Sequence, residues 1–492
     1  MARQISFHGA RRAYRLGCRN DSRTGATLRD HRIAPRGWPN AESNRRSIKV
    51  GHWHDDWARR WRDRAEFRPE TRTVENSDYN QHYVDVEAPV EAELDYSARS
   101  DEVSGSFPGG TRRLPIPTGA ERLRGAMVGA GIGDGFAYAR DHFGLTSFPW
   151  DAGAPIRAQE KFVDFLPASF MPSTWITQLM GYSAEGLIRA LAGRRIGQPV
   201  DPVSTVQHAL QRWLYYMKRS VSAVGEWRIY GGIYARDAGD HDYPDGLAGH
   251  DTNFVSNRDP DAAVLDALLG FASTGTISTP ADPRSEARGA DVLVRAALAA
   301  VWSEDLSETF DLAVAIAALT HPHPDDYLPA ATLAVILHQQ LRDHPFMDCL
   351  AAGYSQASKR SGHEKTLAAI DTVVSLVRDE WVPTQPSSLR RHFPNGGADG
   401  VEALGIALYS AMVSDYIREA LLLALNYATH RPQVAAVAGM LIGAEYGIQA
   451  VPKALREPVA SVGTLDAFAQ DLATELRDVL TDAEWLRRYP PT

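Results

Sequence analysis

From residue 118 onward the chain is built of apolar stretches at helical spacing, separated by short polar turns. No stretch shows the alternation of a half-buried strand. Glu121 to Ala130, Trp175 to Ala192, Pro202 to Met217, Asp261 to Gly270, Val292 to Trp302 and Glu308 to Ala318 each carry this pattern. So do Pro329 to Arg342, Lys365 to Val382, Gly400 to Ala411, Asp415 to Asn426, Pro432 to Gly443 and Leu465 to Leu480. Helices that each bury one apolar face, with no sheet to bury it against, must pack on one another. An all-α, compact multi-helix bundle is the predicted fold, and 116–490 its extent.

Residues 1–115 differ. Gly, Pro, Ser, Asn and Arg are scattered through them, and Ser104 to Gly110 has the composition of a linker. They are expected to form a largely irregular, poorly ordered N-terminal extension. Its first 73 residues hold 18 Lys+Arg against 8 Asp+Glu, a charge of +10 within a chain whose net charge is -9. Arginine dominates, and Lys49 is the one lysine there. Trp53, Trp57 and Trp61 recur at i, i+4, i+8 and fall on one face of a helix. Such a face buries against the protein's own body or against a protein partner, and Trp with Arg suits the second use. An acidic partner fits the charge, and nucleic acid is not the expected one.

No apolar run reaches the roughly 18 residues of a membrane-spanning helix, and no apolar core follows the basic start as a signal peptide requires. The two cysteines, Cys18 and Cys349, are not expected to pair. A cytoplasmic protein without membrane attachment is therefore expected.

Five motifs stand in order along the helical part. Gly125 to Gly135 (GAMVGAGIGDG) is dense in small residues, which let helix backbones approach closely, and it ends on Asp134. No strand precedes it, so a dinucleotide loop is excluded. Arg258-Asp259-Pro260-Asp261 opens a helix, with Asp259 or Asp261 as its cap. Gly289-Ala290-Asp291 leads to Arg295, and Thr320-His321-Pro322-His323-Pro324 enters another helix, with Thr320, Asp325 or Asp326 expected to cap it. Asn426 leads to Ala435-Ala436-Val437-Ala438-Gly439 and on to Gly443, Ala444 and Gly447.

Taken together and in this order, these segments resemble the ADP-ribosylglycohydrolase family over about residues 118–455. The resemblance implies an all-helical domain that hydrolyses the glycosidic bond between ADP-ribose and a protein side chain or small molecule. It also implies a cleft holding two magnesium ions on a T-D-D-T and a G-G-D-T-D-T motif. Hard cations require several such oxygen ligands.

The sequence departs from the family at those motifs. Thr174-Trp175-Ile176-Thr177 stands where T-D-D-T belongs. Ala428-Thr429-His430-Arg431-Pro432-Gln433 stands where G-G-D-T-D-T belongs, its place fixed by Asn426 and Gly439. Indole, alkyl, imidazole and proline replace four aspartates, and a guanidinium opposes a cation. No cofactor is expected, and magnesium only if other residues rebuild its site. The candidate ligand cleft comprises Asp134, Thr174, Trp175, Ile176, Thr177, Asp291, His321, Thr429, His430, Arg431 and Gln433. Within it Arg431 is a candidate to meet a diphosphate, and Trp175 either to stack on a ligand or to plug the cleft. A metal cluster of His321, His323, Asp325 and Asp326 is the weaker interpretation of those side chains. The acidic loop Asp237, Asp240, His241, Asp242 and Asp245 is expected to be solvated. The expected function is a degenerate relative that binds ADP-ribose, a related nucleotide or an ADP-ribosylated partner without metal-dependent hydrolysis. A scaffold that uses the fold only structurally is the alternative, and a hydrolase with atypical ligands the third.

Overall fold

A computed structural model describes residues 73–74, 112–113, 116–142, 171–220, 248–251, 254, 260–379, 383–414, 417–477 and 483–491. The tryptophan stripe, the acidic loop, Cys18 and Asp259 lie outside them. The chain is all-α. Its helices are α1 (Gly119–His142), α2 (Trp175–Arg195), α3 (Pro202–Ser220), α4 (Ala262–Thr274), α5 (Val292–Ala296), α6 (Leu306–Ala318), α7 (Pro324–Gln340) and α8 (Phe346–Ala357). There follow α9 (Glu364–Asp379), α10 (Pro386–Leu389), α11 (Gly400–Met412), α12 (Ile417–Tyr427), α13 (Arg431–Tyr446), α14 (Lys453–Arg456), α15 (Val462–Glu475) and α16 (Ala483–Arg488). A 3-10 turn, Ala297–Val301, continues α5. Two-residue strands, Thr73–Val74 and Arg112–Arg113, pair antiparallel with Thr73 opposite Arg113.

The centre of the bundle is an antiparallel pair, α1 and α13. Gly125, Gly129 and Gly133 recur every four residues on α1, and Gly443, Gly439 and Ala435 answer them on α13. A Cβ on Gly129 would lie 2.1 Å from the Gly439 carbonyl oxygen, and one on Gly439 would lie 2.1 Å from that of Gly129. Gly125 and Gly443 stand in the same reciprocal relation, also at 2.1 Å. At Gly133 the obstacle would be the Ala435 carbonyl at 2.0 Å. The two backbones therefore touch along this stripe, and only hydrogen fits between them. Buried Arg122 finishes the contact. It donates to the last carbonyls of α13, Ala444 at 3.0 Å and Glu445 at 2.6 Å, and pairs with Asp343. A cation at a helix C-terminus also meets the negative end of its dipole.

The other helices pack around this pair. α15 covers α1 on one side, tied by the two hydrogen bonds of Arg124 to Asp466 at 2.7 and 2.8 Å. α2 packs on α3, α15 and α5, while α7 joins α5, α6, α8 and α11, and α11 and α12 close on α13. Local chemistry sets the helix starts. Asp261 accepts from Ala263 and Val264 N–H, as a cap at that position should. α7 begins at Pro324, five residues earlier than its apolar pattern suggests, because Pro329 lies inside it. Pro329 has no N–H for the Asp325 carbonyl. That carbonyl instead faces Gly400, where a Cβ would sit only 2.8 Å away. The cap of α7 is also not one of the three side chains expected. His323 Nδ1 accepts from Asp325 N–H at 3.2 Å, while Asp325 turns to Lys365 and Asp326 to Arg288.

Gly439→Ala should destabilise the protein by about 3 kcal/mol, since the added methyl meets the α1 backbone at Gly129 and Ala130 and no side chain can yield. Gly270→Ala on α4, where a Cβ meets nothing within 4 Å, should instead stabilise by about 0.5–1 kcal/mol. Urea denaturation of the two variants checks the contrast, and equal effects would contradict the close backbone contact.

Candidate functional site

The first turns of α2 and α13 meet at one turn of α1. Gly133 abuts the α13 backbone at Ala435, and the next residue, Asp134, holds the start of α2. Asp134 is fully buried. Its Oδ2 accepts from Thr174 N–H at 2.9 Å and from the Thr177 hydroxyl at 2.5 Å, and its Oδ1 accepts from the Thr174 hydroxyl at 2.7 Å. Thr174 in turn caps α2, its oxygen accepting from Ile176 N–H at 3.2 Å. Just ahead of the cap, Met171 bonds both ways with the chain at 458–460, Met171 N–H to the Pro458 carbonyl at 2.6 Å and Ala460 N–H to that of Met171 at 2.9 Å. The segment 171–177 is thereby fixed at both ends. Trp175 and Ile176 are buried in the hydrophobic core between the two threonines. Gln178 accepts from the Trp213 indole N–H at 2.9 Å.

The start of α13 is more open. Thr429 and His430 are exposed, and both donate their N–H to the Gly396 carbonyl, at 3.0 and 3.1 Å. Gly396 and Gly397 take φ of 62° and 89°, so this loop depends on glycine, and a Cβ on Gly396 would strike the Thr429 hydroxyl. The paired glycines were the one sequence signal for this loop, which the motif comparison passes over. The Thr429 hydroxyl donates to the Asn395 carbonyl at 3.1 Å. Arg431, a candidate for a ligand's phosphates, has partners in the protein: Asp141 at 2.8 Å and the Leu425 carbonyl at 3.1 Å. Those bonds satisfy a cation that stands at the unfavourable, positive end of a helix dipole. Arg140 donates to the same Leu425 carbonyl, and burial lowers its pKa to about 10.

α5 packs against both α2 and α13. Beside it lies a buried polar chain that the motifs only hinted at. Arg295, fully buried, donates to the Thr320 hydroxyl, which lies 2.8 Å from His321 Nδ1. His321 Nε2 lies 3.2 Å from Asp291 Oδ1. Burial lowers Arg295 to about 10, and the Asp291 charge opposes that fall. His323, Asp325 and Asp326 make their bonds to other partners, Lys365 and Arg288 among them, and Asp326 reaches His321 only through its charge. Among the described residues, no group of three or more His, Cys, Asp or Glu side chains is placed to hold a metal ion.

Burial, the largest influence, raises Asp134 to about 6 from an ordinary 3.8, against the opposing hydrogen bonds from Thr177 and Thr174. The folded protein thus holds this proton to higher pH than the unfolded chain does. The group's contribution to stability is therefore most favourable at low pH, declines as pH rises through that interval, and levels off above the folded value. Asp134→Asn cannot ionise. Relative to the wild type, its stability should improve by up to about 3 kcal/mol between about pH 4 and about pH 7. Urea denaturation across that range measures it, and a difference independent of pH would refute the buried ionisation.

The comparisons with known proteins can now be set beside this geometry. The solved structure of an "ADP-ribosylglycohydrolase-related protein complex" is similar to this chain at 20% identity, covering 73% of this chain and 99% of that one, with a TM-score of 0.42. No curated protein matches the chain. The family described as ADP-ribosylglycohydrolase matches residues 116–480, most of the chain and all of the helices from α1 to α15, and the chain belongs to that family.

Proposed function

We propose that this family member binds ADP-ribose, a related nucleotide or an ADP-ribosylated partner where α5 meets α2 and α13, without metal-dependent hydrolysis. One observation carries the proposal. At the position of the family's first acidic motif, Thr174 and Thr177 spend their hydroxyl protons on Asp134, and the residues between them are a buried indole and a buried alkyl chain. The residues there do not fit magnesium. Asp134 already accepts three hydrogen bonds, and the side chains at Trp175 and Ile176 offer no oxygen. At the second motif Pro432 offers none either, His430 is exposed, and Arg431 brings a positive charge of its own. A ligand here would be held by hydrogen bonds to protein groups, with no ion to activate water at the anomeric carbon. Asp291 and Asp325 lie beside His321 and Lys365.

The burial of Trp175 favours a second use, in which the indole plugs the cleft and the fold serves as a scaffold. The two differ in a direct measurement. A ligand that binds only the folded state raises the melting temperature in proportion to the logarithm of its concentration above Kd. Millimolar ADP-ribose should raise it here, with or without magnesium, whereas a pure scaffold would show no shift. The release of ADP-ribose from a modified protein should be absent with magnesium present. Turnover that a chelator abolishes would overturn the proposal.

A further inference from the structure

We infer that Arg390 and Arg391, on the turn that ends α10, form with the neighbouring Arg431 a docking surface for an acidic segment of a partner protein. The inference goes beyond the nucleotide-binding proposal and does not rest on it. It starts at the last turn of α12, where three guanidinium groups converge. Arg431 donates to the Leu425 carbonyl at 3.1 Å, Arg140 donates to the same carbonyl, and Arg390 donates to the Asn426 carbonyl at 3.5 Å. The final carbonyls of a helix attract cations, but one or two donors satisfy them. Burial most, then the charges of Arg431 and Arg390, lower the pKa of Arg140, and only Asp141 opposes them. Asp141 is also the carboxylate that pairs with Arg431, at 2.8 Å. Arg390 and Arg391 have no such partner: among the described residues no carboxylate is paired with either, and Arg391 donates instead to the Ser388 hydroxyl at 2.9 Å. Both arginines are exposed, as are His392 and His430.

The turn that presents the two arginines is fixed by the protein's own bonds. Arg390 N–H donates to the Pro386 carbonyl at 3.0 Å, and His392 and Phe393 N–H donate to that of Leu389 at 3.0 and 3.1 Å. Leu389 and Phe393, on either side of the arginines, are buried, and the Phe393 ring fills the space beside Gly405, where a Cβ would lie 2.6 Å from it. A preformed turn spares a partner part of the cost of ordering it. Guanidinium groups pair with carboxylates through two parallel hydrogen bonds. Adjacent exposed arginines on an open turn suit successive carboxylates along an extended chain, whereas a lone phosphate is better served by donors that surround it. A long nucleic acid would run past the patch onto the rest of the domain. The chain carries -9 although its first 73 residues hold +10, so the domain beyond that segment is strongly acidic and repels a uniform polyanion. A short acidic segment responds mainly to charges within about 8 Å, the screening length at physiological salt.

Fluorescence anisotropy of the full chain with a labelled oligoglutamate peptide tests the inference. The Arg-rich first 73 residues also attract acids, so the contrast between variants decides. Arg390→Gln with Arg391→Gln removes two charges from the patch, and Arg284→Gln with Lys359→Gln removes the same charge from exposed positions elsewhere. At about 50 mM salt the patch variant should bind the peptide about fivefold more weakly than the wild type, the scale of two lost surface ion pairs, and the control variant should stay within about twofold. The difference should shrink as salt rises. Equal losses in the two variants, or a patch variant within about twofold of the wild type, would overturn the inference. So would a single-stranded DNA probe that loses more affinity than the peptide does in the patch variant, since the surface would then be one for nucleic acid. Should the double variant fail to fold, Arg391→Gln alone decides by the same contrast, with Lys359→Gln as its control.

Discussion

The contact between α1 and α13 governs the remainder of the domain. Where two helices meet through glycine on both sides, their spacing and register are set by backbone atoms, which cannot repack as side chains do. Gly129 against Gly439 and Gly125 against Gly443 fix the register at two points one turn apart, and Gly133 against Ala435 carries it to the start of α13. The next residue along α1 is Asp134. The side chain that organises α2 is therefore placed by the same close contact that positions the first turn of α13. Two segments more than 250 residues apart in sequence reach one place because α1 touches both within two residues.

This arrangement makes the scaffold independent of the side chains at the centres of the two motifs. The threonines at 174 and 177 keep their hydrogen bonds to Asp134 whatever stands between them, because the bonds run to the cap of α2 and leave the two intervening side chains out of account. Acidic residues at 175 and 176 would need an ion or water to offset their burial. A tryptophan and an isoleucine need neither, and they join the core directly. The same holds at α13, where the N–H groups of Thr429 and His430 bond to the Gly396 carbonyl without involving either side chain. The backbone frame does not depend on the side chains at the motifs' centres, and the flanks are consequently legible whatever stands between them.

How much of this was legible in the sequence follows from the same distinction. Features carried by backbone geometry were readable: the GxxxG spacing on α1, its answer on α13, and the helical period of the long segments. α8, α10, α14 and α16 were missed. The last three are four to six residues long, too short to show a period, and α8 mixes Gly353, Tyr354 and Ser355 into its pattern. The start of α7 was misplaced because Pro329 looks like a helix opening, and only the tertiary position of Gly400 shows why a proline is tolerated one turn in. The cap at His323 was assigned to its neighbours because aspartate and threonine are the commoner caps. Those aspartates were instead drawn off by Lys365 and Arg288 from distant parts of the chain.

The candidate site divides in the same manner. Its membership came from motif order, since Asp134, Asp291, His321 and Gln433 each occupy a place in the family's sequence of segments. What each side chain does depends on partners that no spacing rule supplies. Asp134 is saturated by donors, Arg431 is held by Asp141, and Asp291 has an oxygen to which the protein offers nothing. Three charged residues that look alike in sequence are thus a structural tie, a surface ion pair and an unmet acceptor. The difference between them is a matter of which hydrogen bonds are already made.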